Sequence, residues 1–154
     1  MRPRKKHLLK TALHDSSTLQ KHVKTGAGAV APGHIRLVAE AERSKIGDSL
    51  DLDAATKSEF PEANRWDYVI SLPALGLIIG VEPHAARDSE INVVIAKKKH
   101  AIQYLQSHLR DGYRVTKWFW VSSGTVGFSR MERARRILDQ NGIAFEGRVL
   151  RKLG

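Results

Sequence analysis

The stretch RWDYVISLPALGLIIGVEPH, residues 65–84, sets one acid at each end of an apolar hairpin. Asp67 precedes Tyr-Val-Ile, and Glu82 follows Leu-Ile-Ile-Gly-Val. WDYVISL and LIIGVEPH have the aromatic and β-branched composition of strands, and PALG between them supplies a loose turn. Glu82 and His84, two apart on one strand, share a face. Asp67, near the start of its strand, falls across from the end of the other. Strands this apolar rarely carry carboxylates, and two placed together repel and raise each other's pKa unless a cation lies between them. A hard divalent ion such as Mg²⁺ (or Mn²⁺) takes carboxylate oxygens, a backbone carbonyl and waters. Held that way it can activate a water and polarise a phosphodiester, while a nearby amine orients the nucleophile or stabilises developing charge. Pro83 cannot donate to a ladder, so regular pairing is expected to fail near it.

Downstream, DSEINVVIAKKKHAIQYLQSHLRDG (88–112) reads as a long helix, with Ser89 as cap, Glu90 in the first turn and Gly112 as the stop. Ile91, Ile95, Ile102, Leu105 and Leu109 recur at helical spacing as one apolar stripe. Lys98 falls in the middle of that stripe, with Lys97 and Lys99 about 100° to either side. A lysine so placed can snorkel to water, pair with a buried acid for structural reasons, or stand beside the sheet's acids as part of their chemistry. In the last case Lys97 and Lys99 flank a groove and touch phosphates.

YRVTKWFWVSSG (113–124) reads as another strand, SRMERARRILDQNG (129–142) as a second helix capped by Ser129, and IAFEGRVLRKL (143–153) as a strand or irregular tail. Upstream, SLDLDAATKSEF (49–60) reads as a helix whose Asp51 and Asp53 favour the positive end of its dipole. HIRLVAEAERSK (34–45) is ambiguous between strand and helix. Residues 1–33 read as a basic flexible arm ending in the hinge TGAGAVAPG, and 34–154 as a single domain. Mixed strands and helices with a hairpin, helix and strand in succession indicate an α/β or α+β domain.

An acid, a spacer, a second acid with a lysine two residues on, then a helix and a strand, is the pattern of the PD-(D/E)XK nuclease superfamily. WD at 66–67 and VEPH at 81–84 resemble its two acid motifs over roughly residues 50–125. The resemblance implies a restriction-endonuclease-like three-layer core, a mixed central sheet flanked by helices. It implies Asp67 and Glu82 as metal ligands, with the backbone carbonyl of Pro83 a third. This chain departs from the pattern in carrying His84 where lysine is expected. In the superfamily that lysine sometimes migrates to the following helix, which Lys98 suits, with His84 as the understudy. The superfamily also often has an acid on the preceding helix, a place that Glu42, Asp51 or Asp53 could fill.

Charge agrees with a polyanionic partner. The chain has 26 Lys and Arg against 16 Asp and Glu, a formal net charge of +10, and the excess lies at its ends. Residues 1–25 carry seven basic side chains against Asp15, and residues 130–154 carry seven against three acids. Basic ends on a neutral centre suit nucleic acid lying across the surface. Arg65, Arg130 and Arg133, with Lys97 and Lys99, are the expected backbone contacts. The expectation is thus a Mg²⁺-dependent nuclease acting on DNA or RNA. The alternatives are a catalytically inactive module of the same fold that binds nucleic acid, a protein partner or a second copy of itself, and a toxin-type nuclease domain with an acidic partner.

No apolar run approaches the roughly 18 residues of a membrane span, the N-terminus lacks the apolar core of a secretory signal, and a cytoplasmic location is the default. There is no cysteine, which excludes disulfides and thiolate-rich zinc sites. The histidines show no zinc-ligand spacing, and no Ser/His/Asp or dinucleotide-binding signature appears. VSSGTVGFSR (121–130) lacks the glycine spacing and lysine of a nucleotide-binding loop.

Overall fold

Pleat alternation decides which residues of the hairpin face which layer. The computed structural model describes residues 6–154, and the expected hairpin forms from β3 (Tyr68–Leu72) and β4 (Leu77–His84), antiparallel with Tyr68 opposite Val81 and Leu72 opposite Leu77. Pro73–Leu75 makes a single 3₁₀ turn between them, closed by Gly76 at φ +65°, a left-handed conformation that glycine adopts without Cβ strain.

The sheet has six strands in sequence order. β1 (Lys24–Thr25), β2 (Asp48–Asp51), β3 and β4 form an antiparallel meander, while β5 (Lys117–Ser122) and β6 (Ile143–Phe145) continue it in parallel. Helices α1 (Leu8–Ala12), α2 (Pro32–Ile35), α3 (Glu40–Arg43), α4 (Leu52–Thr56), α5 (Ile91–Gln106) and α6 (Met131–Gln140) complete the fold, α5 and α6 serving as the links to the parallel strands. This is a mixed α/β domain with an open sheet, as the sequence indicates. Among the described residues no helix is long and apolar enough to cross a membrane.

Two apolar layers cover the sheet. Val69, Ile78, Trp118, Trp120, Ile143 and Phe145 face α1, α5 and α6, whereas Tyr68, Ile70, Ile79, Val81, Phe119 and Val121 face Val30, Val38, Ile46, Leu150 and Leu153. Both faces of β3 are therefore buried, which is why its sequence is apolar without alternation. Gly80 lies on the helix side, where a Cβ would come within 2.6 Å of the Trp118 ring and 3.0 Å of Trp66 Nε1. The two indoles meet edge to face at 5.0 Å over that gap.

Several boundaries differ from the sequence reading. Pairing between β3 and β4 stops at Val81, as Pro83 requires, but on the other side of β4 the parallel register runs on through Pro83–Val121 to His84–Ser122. The segment 49–60 divides into β2 and the short α4, with Asp51 capping the helix by accepting the Ala54 N–H at 2.9 Å. A 3₁₀ turn at Asp88–Glu90 precedes α5, so Ser89 is not its cap, and α5 ends at Gln106, before Gly112. Ser129 bonds Asp88, and Arg130 holds the cap position of α6.

The segment 6–33 is not an arm. Leu8, Leu9, Ala12, Leu13 and Leu19 are buried in the helix-side core, while Arg2, Arg4 and Lys5 lie outside the described residues. Asp48, fully buried in β2, accepts the Leu9 and Lys10 N–H groups at 2.9 Å each, and Ser71 Oγ bonds its carboxylate as well. First-turn amides have no partner within a helix, and this carboxylate supplies one from a distant strand. Asp48→Ala leaves the buried Leu9 donor unsatisfied and frees the partly buried Lys10 donor. It is expected to cost about 3 kcal/mol or more of unfolding free energy in urea, with protease cleavage appearing first near residue 13; unchanged stability would show that α1 is held by its leucines alone.

Candidate functional site

The register that pairs Tyr68 with Val81 sets Asp67 opposite Glu82 at one end of the hairpin. Both lie, by pleat parity with Val69 and Ile78, on the side that faces α5. Glu82 Oε1 accepts the Asp67 backbone N–H at 2.8 Å, and Lys97 Nζ donates to Glu82 Oε2 at 2.5 Å. Glu82 is fully buried and the Lys97 side chain is 14% exposed, so the pair is desolvated and tied to the sheet edge rather than loose on a surface.

His84 extends the cluster. Its Nδ1 is 3.4 Å from Glu82 Oε2 and its Nε2 is 2.9 Å from Glu90 Oε1. Hydrogen bonding to Glu82 raises its pKa above the ordinary histidine value; burial opposes this and Glu90 adds to it. The chain Glu90–His84–Glu82–Lys97 alternates in sign when His84 is protonated.

Asp67 is the member that the protein does not bond, and its side chain is partly open to solvent. No described side chain or backbone N–H bonds its carboxylate, and burial first, then the neighbouring Glu82 charge, push its pKa up to about 7, with Lys97 opposing and Asp53 and Asp51 adding to the rise. Its backbone carbonyl is fixed by the Leu52 and Asp53 N–H groups at 2.7 and 3.4 Å, so the β2–α4 junction locks the residue in place. Burial also raises the pKa of Asp51. A carboxylate with no bonded cation, next to another that is fully buried, suits a hard divalent ion. Glu82 Oε1 and Oε2 between them accept from Asp67, Lys97 and His84, and a carboxylate has about four acceptor sites, which leaves room for one metal contact. Among the described residues no group of three or more His, Asp or Glu side chains is arranged around a point. A cation here would therefore take Asp67, Glu82, the Pro83 carbonyl and waters.

Lys98 does not join this group. Its ammonium donates to Asn141 O at 2.5 Å, at the C-terminal end of α6, and lies 5.9 Å from the Trp118 ring centroid. There it satisfies an orphan carbonyl and meets the negative end of the helix dipole, and burial lowers its pKa. The buried positions of α5 are Ile91, Val94, Ala101 and Leu105, while Ile102 is 40% exposed. The true stripe runs between Lys97 and Lys98, so the two amines diverge, one toward Glu82 and the other toward α6.

The remaining expected contacts are dispersed. Arg65 is occupied structurally, with Nε 2.8 Å from Asp53 Oδ1 and its terminal nitrogen on the Phe60 and Pro61 carbonyls. Arg130 and Arg133 are exposed and line a cleft with Asp88 and Asn92 beside the start of α5. Lys99 is exposed on α5, turned about 200° from Lys97. Glu42 serves the other end of the molecule, accepting the Leu153 N–H at 2.9 Å and pairing with Lys45 at 2.5 Å. Of the three acids considered for the preceding element, Asp51 and Asp53 are the ones that act on Asp67. Glu90 was readable only as a first-turn acid; its reach to His84 depends on the loop that folds back from β4.

No protein-family model matches the chain, and neither the curated proteins nor the solved structures contain a match to it.

Because the pKa of Asp67 is raised on folding, the folded chain binds the additional proton between about pH 4 and pH 7. Its contribution to stability is complete below the unfolded value and is lost as pH rises through about 7. In buffer free of divalent ions, Asp67→Asn is expected to be more stable than the wild type at pH 8 by about 2 kcal/mol, since partial exposure reduces the full effect. The gain should vanish near pH 4; equal stability of the two proteins at pH 8 would mean that the carboxylate is not strained.

Proposed function

We propose that this chain is a metal-dependent nuclease-like domain of restriction-endonuclease-like fold that hydrolyses phosphodiester bonds in nucleic acid. The observation that carries this reading is the convergence of Asp67, Glu82 and the Lys97 amine at the end of one hairpin. The antiparallel meander followed by a helix and a parallel strand is in keeping with that fold. The net charge of +10 favours a polyanionic substrate.

Asp67, Glu82 and the Pro83 carbonyl would hold Mg²⁺ or Mn²⁺. When bound, such an ion polarises a phosphoryl oxygen and lowers the pKa of a coordinated water. Glu82 is kept in place by the Asp67 N–H and by Lys97, and cannot swing away from the sheet. Lys97, on α5, holds its positive charge at Glu82 Oε2, from where it would orient water and stabilise negative charge growing on phosphate oxygens. In this reading Lys97 fills the place expected for Lys98, and His84 with Glu90 holds the outer side of Glu82. Hydrolysis places the water hydroxyl on phosphorus and its proton on the departing oxygen. Arg130 and Arg133 are the proposed backbone contacts.

A second reading, an inactive module that binds nucleic acid, draws on the same contact: Lys97 and His84 already occupy Glu82. The two separate on one experiment. Supercoiled plasmid, single-stranded DNA and RNA are incubated with Mg²⁺ or Mn²⁺ and protein carrying Asp67→Asn, Glu82→Gln, Lys97→Met or Lys98→Met. The expected result is wild-type cleavage that falls at least 100-fold in the first three variants, as when an electrostatic stabiliser is removed, and less than threefold in Lys98→Met. Salt-dependent binding without metal-dependent turnover would select the inactive module. Loss of activity in Lys98→Met with Lys97→Met unaffected would reverse the assignment of the amine.

A further inference from the structure

A second feature stands at the same end of the sheet on the opposite face. The segment after α2 and the segment after β6 are brought together by a parallel bridge between Val38 and Leu150, with Leu150 N–H donating to Leu37 O at 2.7 Å and Ala39 N–H to Leu150 O at 2.9 Å. That bridge carries Arg36 and Arg148 to the walls of one cavity of about 320 Å³, whose floor is the Ser122–Gly124 turn at the end of β5. No acid lines it.

Arg36, Arg148 and Ser123 are all exposed, so their positive and polar groups face solvent with no carboxylate in the cavity wall to neutralise them. Arg36 uses only Nε, on Gly33 O at 3.0 Å. The guanidinium of Arg148 and the hydroxyl of Ser123 make no hydrogen bond or ion pair with any described residue, although Ser122 Oγ, next door, is committed to Gly124 O at 2.7 Å. Planar forks of this kind match the oxygens of a phosphate. The crevice beyond the carboxyl ends of parallel strands is a common place for ligands. His84 pairs with Ser122 across the sheet, so the cavity lies on the order of 10 Å from Glu82 by strand geometry.

We propose that the cavity between Arg36, Arg148 and Ser123 is a phosphate-binding site. The oxyanion is taken by both guanidinium groups and the serine hydroxyl. The ligand is a phosphate of a nucleic acid, within its backbone or at its end, or free phosphate. The site does not require the hydrolytic reading, and would remain if Asp67 and Glu82 proved inert.

The test uses the full chain and three probes. These are inorganic phosphate followed by ³¹P line broadening, and a single-stranded 8-nucleotide DNA with and without a 5′-phosphate followed by fluorescence anisotropy. Proteins are the wild type, Arg36→Ala, Arg148→Ala, Arg148→Lys and, as a control for charge alone, Arg114→Ala before the N-terminal end of β5. Asp67→Asn is added throughout, to suppress turnover. The expected result is at least a tenfold weakening of phosphate or oligonucleotide binding in Arg36→Ala and Arg148→Ala. Arg148→Lys should recover part of it, and Arg114→Ala should change binding less than twofold. A loss confined to the 5′-phosphorylated DNA assigns a terminal phosphate, a loss on both DNAs a backbone phosphate, and a loss on inorganic phosphate alone the free ion. Without anion, Arg148→Ala should melt no lower than the wild type, since the exposed side chain bonds no described residue. The proposal is overturned if Arg36→Ala and Arg148→Ala weaken every probe no more than Arg114→Ala does.

Discussion

A fully buried carboxylate at the end of β4 is the constraint around which this end of the molecule is arranged. Glu82 has no exposed surface and is met by the Lys97 amine, the Asp67 N–H and the His84 ring. An isolated carboxylate in that position would be prohibitively costly. Lys97 comes from α5 and the Asp67 N–H from the residue before β3, so satisfying one charge ties α5 to the sheet and closes the end of the hairpin, while His84, on β4 itself, reaches Glu90 in the segment that leads into α5. The opposing cost falls on Asp67, which lies beside Glu82, has no bonded cation and is pushed toward neutrality near pH 7. One acid is satisfied by the protein, and the other is bonded by no described group.

The hairpin was legible because its signals are local: β-branched runs, a proline-glycine turn and acids at each end fix strand, turn and register together. Lys98 was not, because α5 carries isoleucine on more than one side. Ile95 and Ile102 read as core by period, yet Ile102 is exposed, and the stripe through Val94 and Ala101 passes between the two lysines. A shift of less than one residue around the helix exchanges which amine meets Glu82. Periodicity has that resolution and no better when a helix is apolar around much of its circumference.

The N-terminal segment shows a different limit. Its glycine-rich stretch and basic residues describe a loose arm, but Leu9, Leu13 and Leu19 are buried, and α1 is docked by Asp48 nearly forty residues away. Long-range satisfaction of first-turn amides leaves no local mark in a sequence. The same holds for Glu90 on His84 and for Arg36 and Arg148 lining one cavity, both products of tertiary closure. Charge counting located the basic C-terminal end, and the fold distributes it: Arg130 and Arg133 beside α5, Arg148 on the opposite face.

The most direct measurement is the ¹³C-carboxyl titration of Asp67 by NMR in the absence and presence of Mg²⁺. The expected midpoint is about 7 without the ion, moving down toward the ordinary carboxylate range in Glu82→Gln, and lower still in the wild type once Mg²⁺ is added. A wild-type midpoint near 4, indifferent to both Glu82→Gln and Mg²⁺, would contradict the claim that these two carboxylates form one electrostatic unit built to receive a cation.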